Sequence, residues 1–240
     1  QVDLRSGAVP LAVRQGERFE RLYAVKRLHE HYREDDSFQS MFLEEGRVAG
    51  LIRHPNVVGL RDHGKFRGIP FMVLDYINGA NLKQLALRHD TVIDENVSDV
   101  IIGMADALEH LHDHGWMHLD FKPENVMVDL RGHPYLIDFD TAQAIPRRPK
   151  KSALTSGTPS YMAPEQLKGN PLDQRADIYA FGVTAYELLT HRRPFQGRNL
   201  TESRRLQLDE NYRPAPPSKF NAGVPHLVNR IILQCLAHNP

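Results

Sequence analysis

The sequence contains one cysteine, Cys235, one tryptophan, and no run of 18 or more apolar residues. One cysteine excludes an internal disulfide framework and fits a reducing compartment. Without a long apolar run, no helical bilayer span is expected from this segment. Excess charge is missing too: Lys+Arg and Asp+Glu are both 30. That balance gives no argument for nucleic acid or an anionic membrane as a partner. There is no internal repeat and no low-complexity tract. There is also no initiator methionine: the chain opens at Gln1 and closes at Pro240, straight after an apolar helical pattern. It is therefore expected to be a piece of a longer protein, with any signal peptide or anchor outside it.

What is present suits a globular chain. Apolar residues make up 41% and charged residues 25% of 240, enough to bury a core without staples. Residues 1–77 read as strands around one helix. Tyr23-Ala24-Val25-Lys26 is a short strand pattern, and Asp36 or Ser37 is placed to cap a helix carrying Phe38, Phe42, Leu43 and Val48. Val57-Val58-Gly59-Leu60 and Pro70-Phe71-Met72-Val73-Leu74 predict two more strands, with His63-Gly64 and Arg67-Gly68 punctuating the gap. After Asn78-Gly79 the pattern turns helical. Val97, Ile101, Met104, Ala105, Leu108 and Leu111 recur at steps of three and four, and Gly115 stands where a helix C-cap glycine would. Short strands follow at Val126-Met127-Val128 and Tyr135-Leu136-Ile137. Residues 146–164 lack an apolar period and predict a loop, and helices resume near Asp177, Thr201 and Pro225. Strands first and helices later predict an α+β fold in two lobes, 1–77 and 78–240, with a hinge near residues 75–77.

The polar residues carry the chemistry. His118-Leu119-Asp120-Phe121-Lys122-Pro123-Glu124-Asn125 is followed, eighteen residues after Asp120, by Asp138-Phe139-Asp140. Ala163-Pro164-Glu165 comes next, then the stretch from Asp177 to Gly182. Upstream stand Ala24-Val25-Lys26 and, nineteen residues beyond the lysine, Glu45. Any one piece occurs by chance; six in this order are specific. The order resembles the eukaryotic-type protein-kinase family from about residue 20 onward. Phe42-Leu43-Glu44-Glu45 and Arg53-His54-Pro55-Asn56-Val57-Val58 are similar to its bacterial serine/threonine members.

The resemblance implies a protein kinase moving the γ-phosphate of ATP onto Ser/Thr hydroxyls of a protein substrate, with Mg²⁺ as cofactor and a cytoplasmic location. Phosphoryl transfer requires positioning and charge neutralisation more than covalent chemistry. By resemblance, Asp120 orients or accepts the substrate hydroxyl proton and Lys122 places positive charge on the moving phosphoryl group. Asp138 and Asn125 supply oxygen ligands to Mg²⁺. Lys26 holds the α- and β-phosphates, with Glu45 fixing its ammonium. Leu74 takes the gatekeeper position, the backbones of Asp75 and Ile77 bond the adenine, and Ala24 and Met127 sandwich it. Lys122 two residues after Asp120, and Gly157-Thr158-Pro159-Ser160-Tyr161 before Ala163, point to the Ser/Thr type, with Thr158 contacting Asp120. Asp177 braces the catalytic-loop backbone. Glu165 pairs, in the family, with an arginine late in the domain, for which the sequence offers no clear candidate.

Three departures stand out. No G-x-G-x-x-G-x-V precedes Lys26: Gly7 and Gly16 stand alone. Either Val2 ends that motif with its glycines upstream, or the loop is degenerate. Leu119 replaces the arginine that pairs with a phosphorylated activation-loop residue, so phosphorylation of Ser152, Thr155 or Ser156 is expected to matter less. Asp140 replaces a glycine, which is expected to leave the metal-ligand step in place while restricting the in/out flip of this segment; the extra carboxylate also bears on metal binding. These departures keep a second reading open, a pseudokinase acting as a nucleotide-binding or scaffolding module. A third is a small-molecule phosphotransferase, against which the peptide-platform look of residues 157–165 counts.

Plainer readings stand beside these. Lys26 and Glu45 alone would also suit a surface ion pair, and Asp120, Lys122 and Asn125 turn residues. His110 and His114, four apart on a helix, have the spacing of a zinc pair but lack a third ligand. A histidine at that helix end is favoured by the dipole in any case. Arg147-Arg148-Pro149-Lys150-Lys151 reads as a solvated basic run, and Phe38 and Phe42 as core contacts.

Overall fold

A computed structural model describes residues 11–15, 20–88, 90–147 and 157–238. Val2, Gly7, Gly16, residues 148–151, Ser152, Thr155, Ser156 and Pro240 lie outside them, and with them the questions of the glycine loop and of loop phosphorylation.

The chain begins with β1 (Leu11–Gln15), β2 (Glu20–Arg27), α1 (Asp36–Leu51), β3 (Leu60–Phe66) and β4 (Ile69–Asp75). The strands form an antiparallel sheet in the order β1-β2-β4-β3. The α1 cap is Asp35, not Asp36 or Ser37. The Asp35 backbone is extended, and its carboxylate accepts the N–H groups of Ser37 (2.9 Å) and Phe38 (3.3 Å), the reach an N-cap side chain needs. Phe42, Glu45, Val48 and Ala49 are buried on one face of α1, as spacings of three and four dictate. Phe42 packs with Leu28 and Met72 in a small cluster, while Phe38 stacks on Tyr32 at 4.0 Å. Val48 and Ala49 join the main core.

The predicted strand at residues 57–60 begins only at Leu60, and His63-Gly64 lies inside β3; Arg67-Gly68 alone makes the β3–β4 turn. Residues 56–58 pair elsewhere. Leu136 N–H donates to Asn56 C=O (2.7 Å), Val58 N–H to Leu136 C=O (3.0 Å), and the Asn56 side chain to Pro134 C=O (3.0 Å). This connection is thereby fastened to the C-terminal region.

That region opens with a short strand, β5 (Gly79–Asn81), where helix was expected at once, then α2 (Leu82–Arg88) and α3 (Thr91–Asp113). Ile93, Val100, Met104, Ala107, Leu108 and Leu111 line the buried face of α3, and Gly115 follows it with φ +79°. Then come β6 (Trp116–Met117), β7 (Val126–Asp129), β8 (Pro134–Leu136), β9 (Gln143–Ala144), α4 (Pro164–Lys168), α5 (Arg175–Thr190), α6 (Leu200–Leu208) and α7 (His226–Cys235). β5-β7-β8 make one small sheet and β6-β9 another. α5 is buried on nearly every side, as expected of a central helix. The fold is α+β, with the large sheet in its N-terminal region and helices dominating its C-terminal region. One apolar core joins Val48, Ala49, Ile52 and Val57 to Met104, Leu136 and the face of α5.

Candidate active site

β2 presents Lys26, the buried face of α1 presents Glu45, and the segment after β8 presents Asp138. The Lys26 ammonium hydrogen-bonds Glu45 Oε1 and Asp138 Oδ1, the latter at 2.8 Å. Lys26 is 3% exposed and Glu45 5%, so this is no surface pair. A buried ammonium needs such partners. Burial alone would lower the Lys26 pKa, but the charges of Asp138 and Glu45 outweigh it and hold it above the ordinary lysine range. Burial pushes Glu45 up, helped by Asp138 and opposed by Lys26. Burial would also raise Asp138, but Lys26 prevails and holds it low. Asp140 is pushed up by burial and then by Asp138, and it also feels Asp120. One ammonium thus bonds two buried carboxyl groups.

A second network surrounds Asp120. Its Oδ2 accepts from the Lys122 ammonium and its Oδ1 from the backbone N–H of Thr158 (3.1 Å). The Thr158 hydroxyl lies 3.0 Å from Lys122 Nζ. The Asn125 amide donates to Asp120 C=O (2.9 Å) and Oδ2 (3.3 Å). Its nitrogen is thereby committed and its Oδ1 left for another partner. Val126 pairs with Leu136 across β7–β8, and Ile137 N–H donates to Asn125 C=O (2.9 Å). This pairing brings Asn125 beside the strand end that carries Asp138. Asn125 Oδ1 and the second Asp138 oxygen are hard oxygen donors, in a cluster rich in negative charge. The residues present fit Mg²⁺.

The backbone that carries Asp120 is held by buried side chains. Asp177, fully buried near the start of α5, accepts the N–H groups of His118 (2.8 Å) and Leu119 (2.7 Å) as well as His112 Nε2 (2.8 Å). Leu119 is 4% exposed and has φ +64°, so the arginine expected there is replaced by a core residue. Gln166 Nε2 donates to Leu119 C=O (3.1 Å), while Gln166 Oε1 accepts Ala163 N–H (2.8 Å). The buried His118 ring packs against Phe139, 5.5 Å between centroids. Sequence reasoning found Asp177 but missed His112 and Gln166.

The residues expected around a base divide between two sheets. Ala24 is opposite Leu74 and Tyr23 opposite Asp75 in the β2–β4 register. Asp75 N–H donates to Gly59 C=O (2.9 Å), and its carboxylate takes two bonds from Arg61 (2.8 and 2.6 Å). Its N–H is thereby committed within the protein. Ile77 stands two residues further on, between β4 and β5. Met127 lies in β7 opposite Asn81 and Tyr135, on the face away from the buried Val126 and Val128. Burial foremost pushes the Glu165 carboxyl up, and Arg175 acts in the opposite sense. The His110 and His114 rings lie 4.2 Å apart, tilted by 44°, and His114 Nδ1 bonds the His110 carbonyl (2.7 Å). Among the described residues no three His, Cys, Asp or Glu side chains are grouped to hold a metal ion.

Over residues 5–240 the sequence matches the family described as protein kinase domain. The chain belongs to the protein kinase family. This protein kinase domain is 34% identical over 93% of its length to a probable serine/threonine-protein kinase of Streptomyces coelicolor, covering 34% of that protein. It is 30% identical, over 93% of its length, to serine/threonine-protein kinase PknB of Mycolicibacterium smegmatis, covering 36%. The probable serine/threonine-protein kinase PknB of Corynebacterium glutamicum is 31% identical over 90% of this chain and 35% of its own. The chain thus spans about a third of the length of the curated relatives it matches. The kinase domain is of the eukaryotic type, with bacterial relatives. No helix among its described residues is long and apolar enough to cross a membrane.

Proposed function

We propose that this chain transfers the γ-phosphate of ATP to serine or threonine hydroxyls of protein substrates. The observation that carries the reading is the closed network in which both oxygens of Asp120 are engaged, by Lys122 and by the Thr158 backbone. A carboxylate so held has a fixed direction, which a base orienting a substrate hydroxyl requires. Lys122 neutralises charge on the transferring group. Lys26, aligned by Glu45, binds the α- and β-phosphates. Leu74, the backbones of Asp75 and Ile77, and the side chains of Ala24 and Met127 form the adenine site. Asp138 and Asn125 would hold Mg²⁺, which when bound neutralises phosphate charge. In this reading residues 1–77 form the small lobe and residues 78–240 the large one, and the domain works in the cytoplasm.

Leu119 was one ground for a pseudokinase. It is accommodated as a buried, hydrogen-bonded residue, and Lys26, Asp120, Lys122, Asn125 and Asp138 are all retained. The test is transfer of ³²P from Mg·ATP to the full chain itself or to a generic protein substrate, with Asp120→Asn as control. Transfer on Ser/Thr by the wild type and its loss in the variant are expected. ATP binding with no transfer would overturn the proposal in favour of a nucleotide-binding module.

A further inference from the structure

Two consecutive peptide units lead into Asp120. The first, His118–Leu119, is fixed by Asp177 through the Leu119 N–H at 2.7 Å. The second, Leu119–Asp120, has its carbonyl oxygen bound by Gln166 Nε2 at 3.1 Å, while its N–H points to His118 Nδ1 at 3.4 Å. Leu119 lies between them at φ +64°, a left-handed conformation that side-chain-bearing residues resist. Such a backbone persists only where the surroundings hold it. Gln166 is 5% exposed and both ends of its amide are committed. A flipped amide would set its NH₂ against the Ala163 N–H and its oxygen against the Leu119 carbonyl, so the partners fix its orientation.

We propose that Gln166 is a positioning residue for Asp120: its amide locks the Leu119–Asp120 peptide plane and couples it to the 157–163 segment that delivers Thr158 to the same carboxylate. The proposal rests on the kinase reading above and deepens it. No charged side chain occupies position 119 to await a phosphate. A neutral amide, in place as soon as α4 folds, sets the direction of Asp120 instead.

The test uses Gln166→Glu and Gln166→Met in the full chain. In Gln166→Glu the ionised carboxylate still accepts from Ala163 N–H but turns an acceptor toward the Leu119 carbonyl. Once protonated it regains a donor there, and burial raises the pH at which that happens. The expected kcat deficit of Gln166→Glu, relative to wild type at the same pH, is about 10- to 100-fold at pH 8.5. It shrinks several-fold toward pH 5.5, with KM for ATP unchanged throughout. Gln166→Met, of similar length with no hydrogen bond, is slow at every pH. Hydrogen exchange of peptides covering residues 117–121 follows the same order, faster in Gln166→Met and pH-dependent in Gln166→Glu. A deficit in Gln166→Glu that does not change with pH, or wild-type kcat in Gln166→Met, overturns the proposal. If the wild type itself transfers no phosphate, the kinase reading fails, and the exchange data alone then decide whether Gln166 holds this peptide. Should Gln166→Met not fold, the pH dependence of Gln166→Glu decides.

Discussion

Lys26 Nζ and Asp138 Oδ1 are 2.8 Å apart although 112 residues separate them in sequence. With Glu45, this contact ties β2, α1 and the end of β8 to one buried ammonium. Lys26→Met strands two buried carboxyl groups. Phosphoryl transfer is expected to fall on the order of 100-fold or more. Breaking a buried pair from one side also costs about 3–5 kcal/mol. Steady-state kinetics and denaturant midpoints check both; an unchanged kcat/KM contradicts the assignment of Lys26.

Glu45 gives the domain a pH-dependent element. Burial foremost moves its pKa from 4.5 to about 7. A raised carboxyl pKa means that the folded state binds more protons than the unfolded one. Its contribution to stability is therefore fully present below 4.5 and is lost as pH rises through about 7. Glu45→Gln should remove that part of the slope. The stability difference between wild type and variant, measured at pH 5 and pH 7.5, should move against the wild type at the higher pH. A difference independent of pH contradicts this.

Gly157 has φ +126°, and a Cβ there would lie 2.6 Å from Met162 Cε and 3.5 Å from Asp120 Oδ1. Gly157→Ala must change this backbone, at about 1–3 kcal/mol. The next residue, Thr158, then loses its alignment on Asp120. At least a tenfold fall in kcat is expected, since small misplacements near the chemistry cost up to about 100-fold. Wild-type kinetics in the variant would show that the Thr158 contact is dispensable.

Asp177→Asn tests the buried clamp. Three donors converge on the carboxylate, whereas an amide offers one acceptor oxygen and turns its NH₂ toward a donor. A loss of at least about 1–3 kcal/mol is expected, read as a lower melting temperature, together with faster exchange at His118 and Leu119. A stable variant with unchanged exchange would remove Asp177 from this role.

Asp140→Gly bears on metal use. Burial and Asp138 keep the Asp140 carboxyl above its ordinary range, within reach of Asp120. The Mg²⁺ concentration giving half-maximal transfer is expected to rise in the variant, and inhibitors that need this segment to swing outward should bind more tightly. No change in either response would dismiss Asp140 as a modifier.

The fold class and the candidate polar residues were legible in the sequence. Asp120, Lys122, Asn125 and Asp138 fall in one ordered stretch, which is what marked them as candidates. α3 is long enough for its period to show. The misses have physical causes. Asp35, Asp36 and Ser37 are all competent caps, and only backbone geometry selects among them. The run from Val57 to Leu60 is apolar because it is buried; periodicity cannot tell whether a short buried run joins a sheet or fastens to a distant strand. β5 is three residues long, too short for any alternation. The bonds from Gln166 to Leu119 and from His112 to Asp177 span 47 and 65 residues, which no local pattern reveals; the one local sign at Gln166 is its place three residues after the helix cap Ala163, whose N–H it accepts.

The fastening of residues 56–58 to β8 means that the sheet-bearing and helical halves are not separable modules. Cut between Ile77 and Asn78, each fragment would face water with the apolar surface that completed the other. Val57 and Ile52 would be bared on one side, and Met104 and Leu136 on the other. Neither piece should be soluble alone, and a recoverable product should appear only when both are made in the same cell.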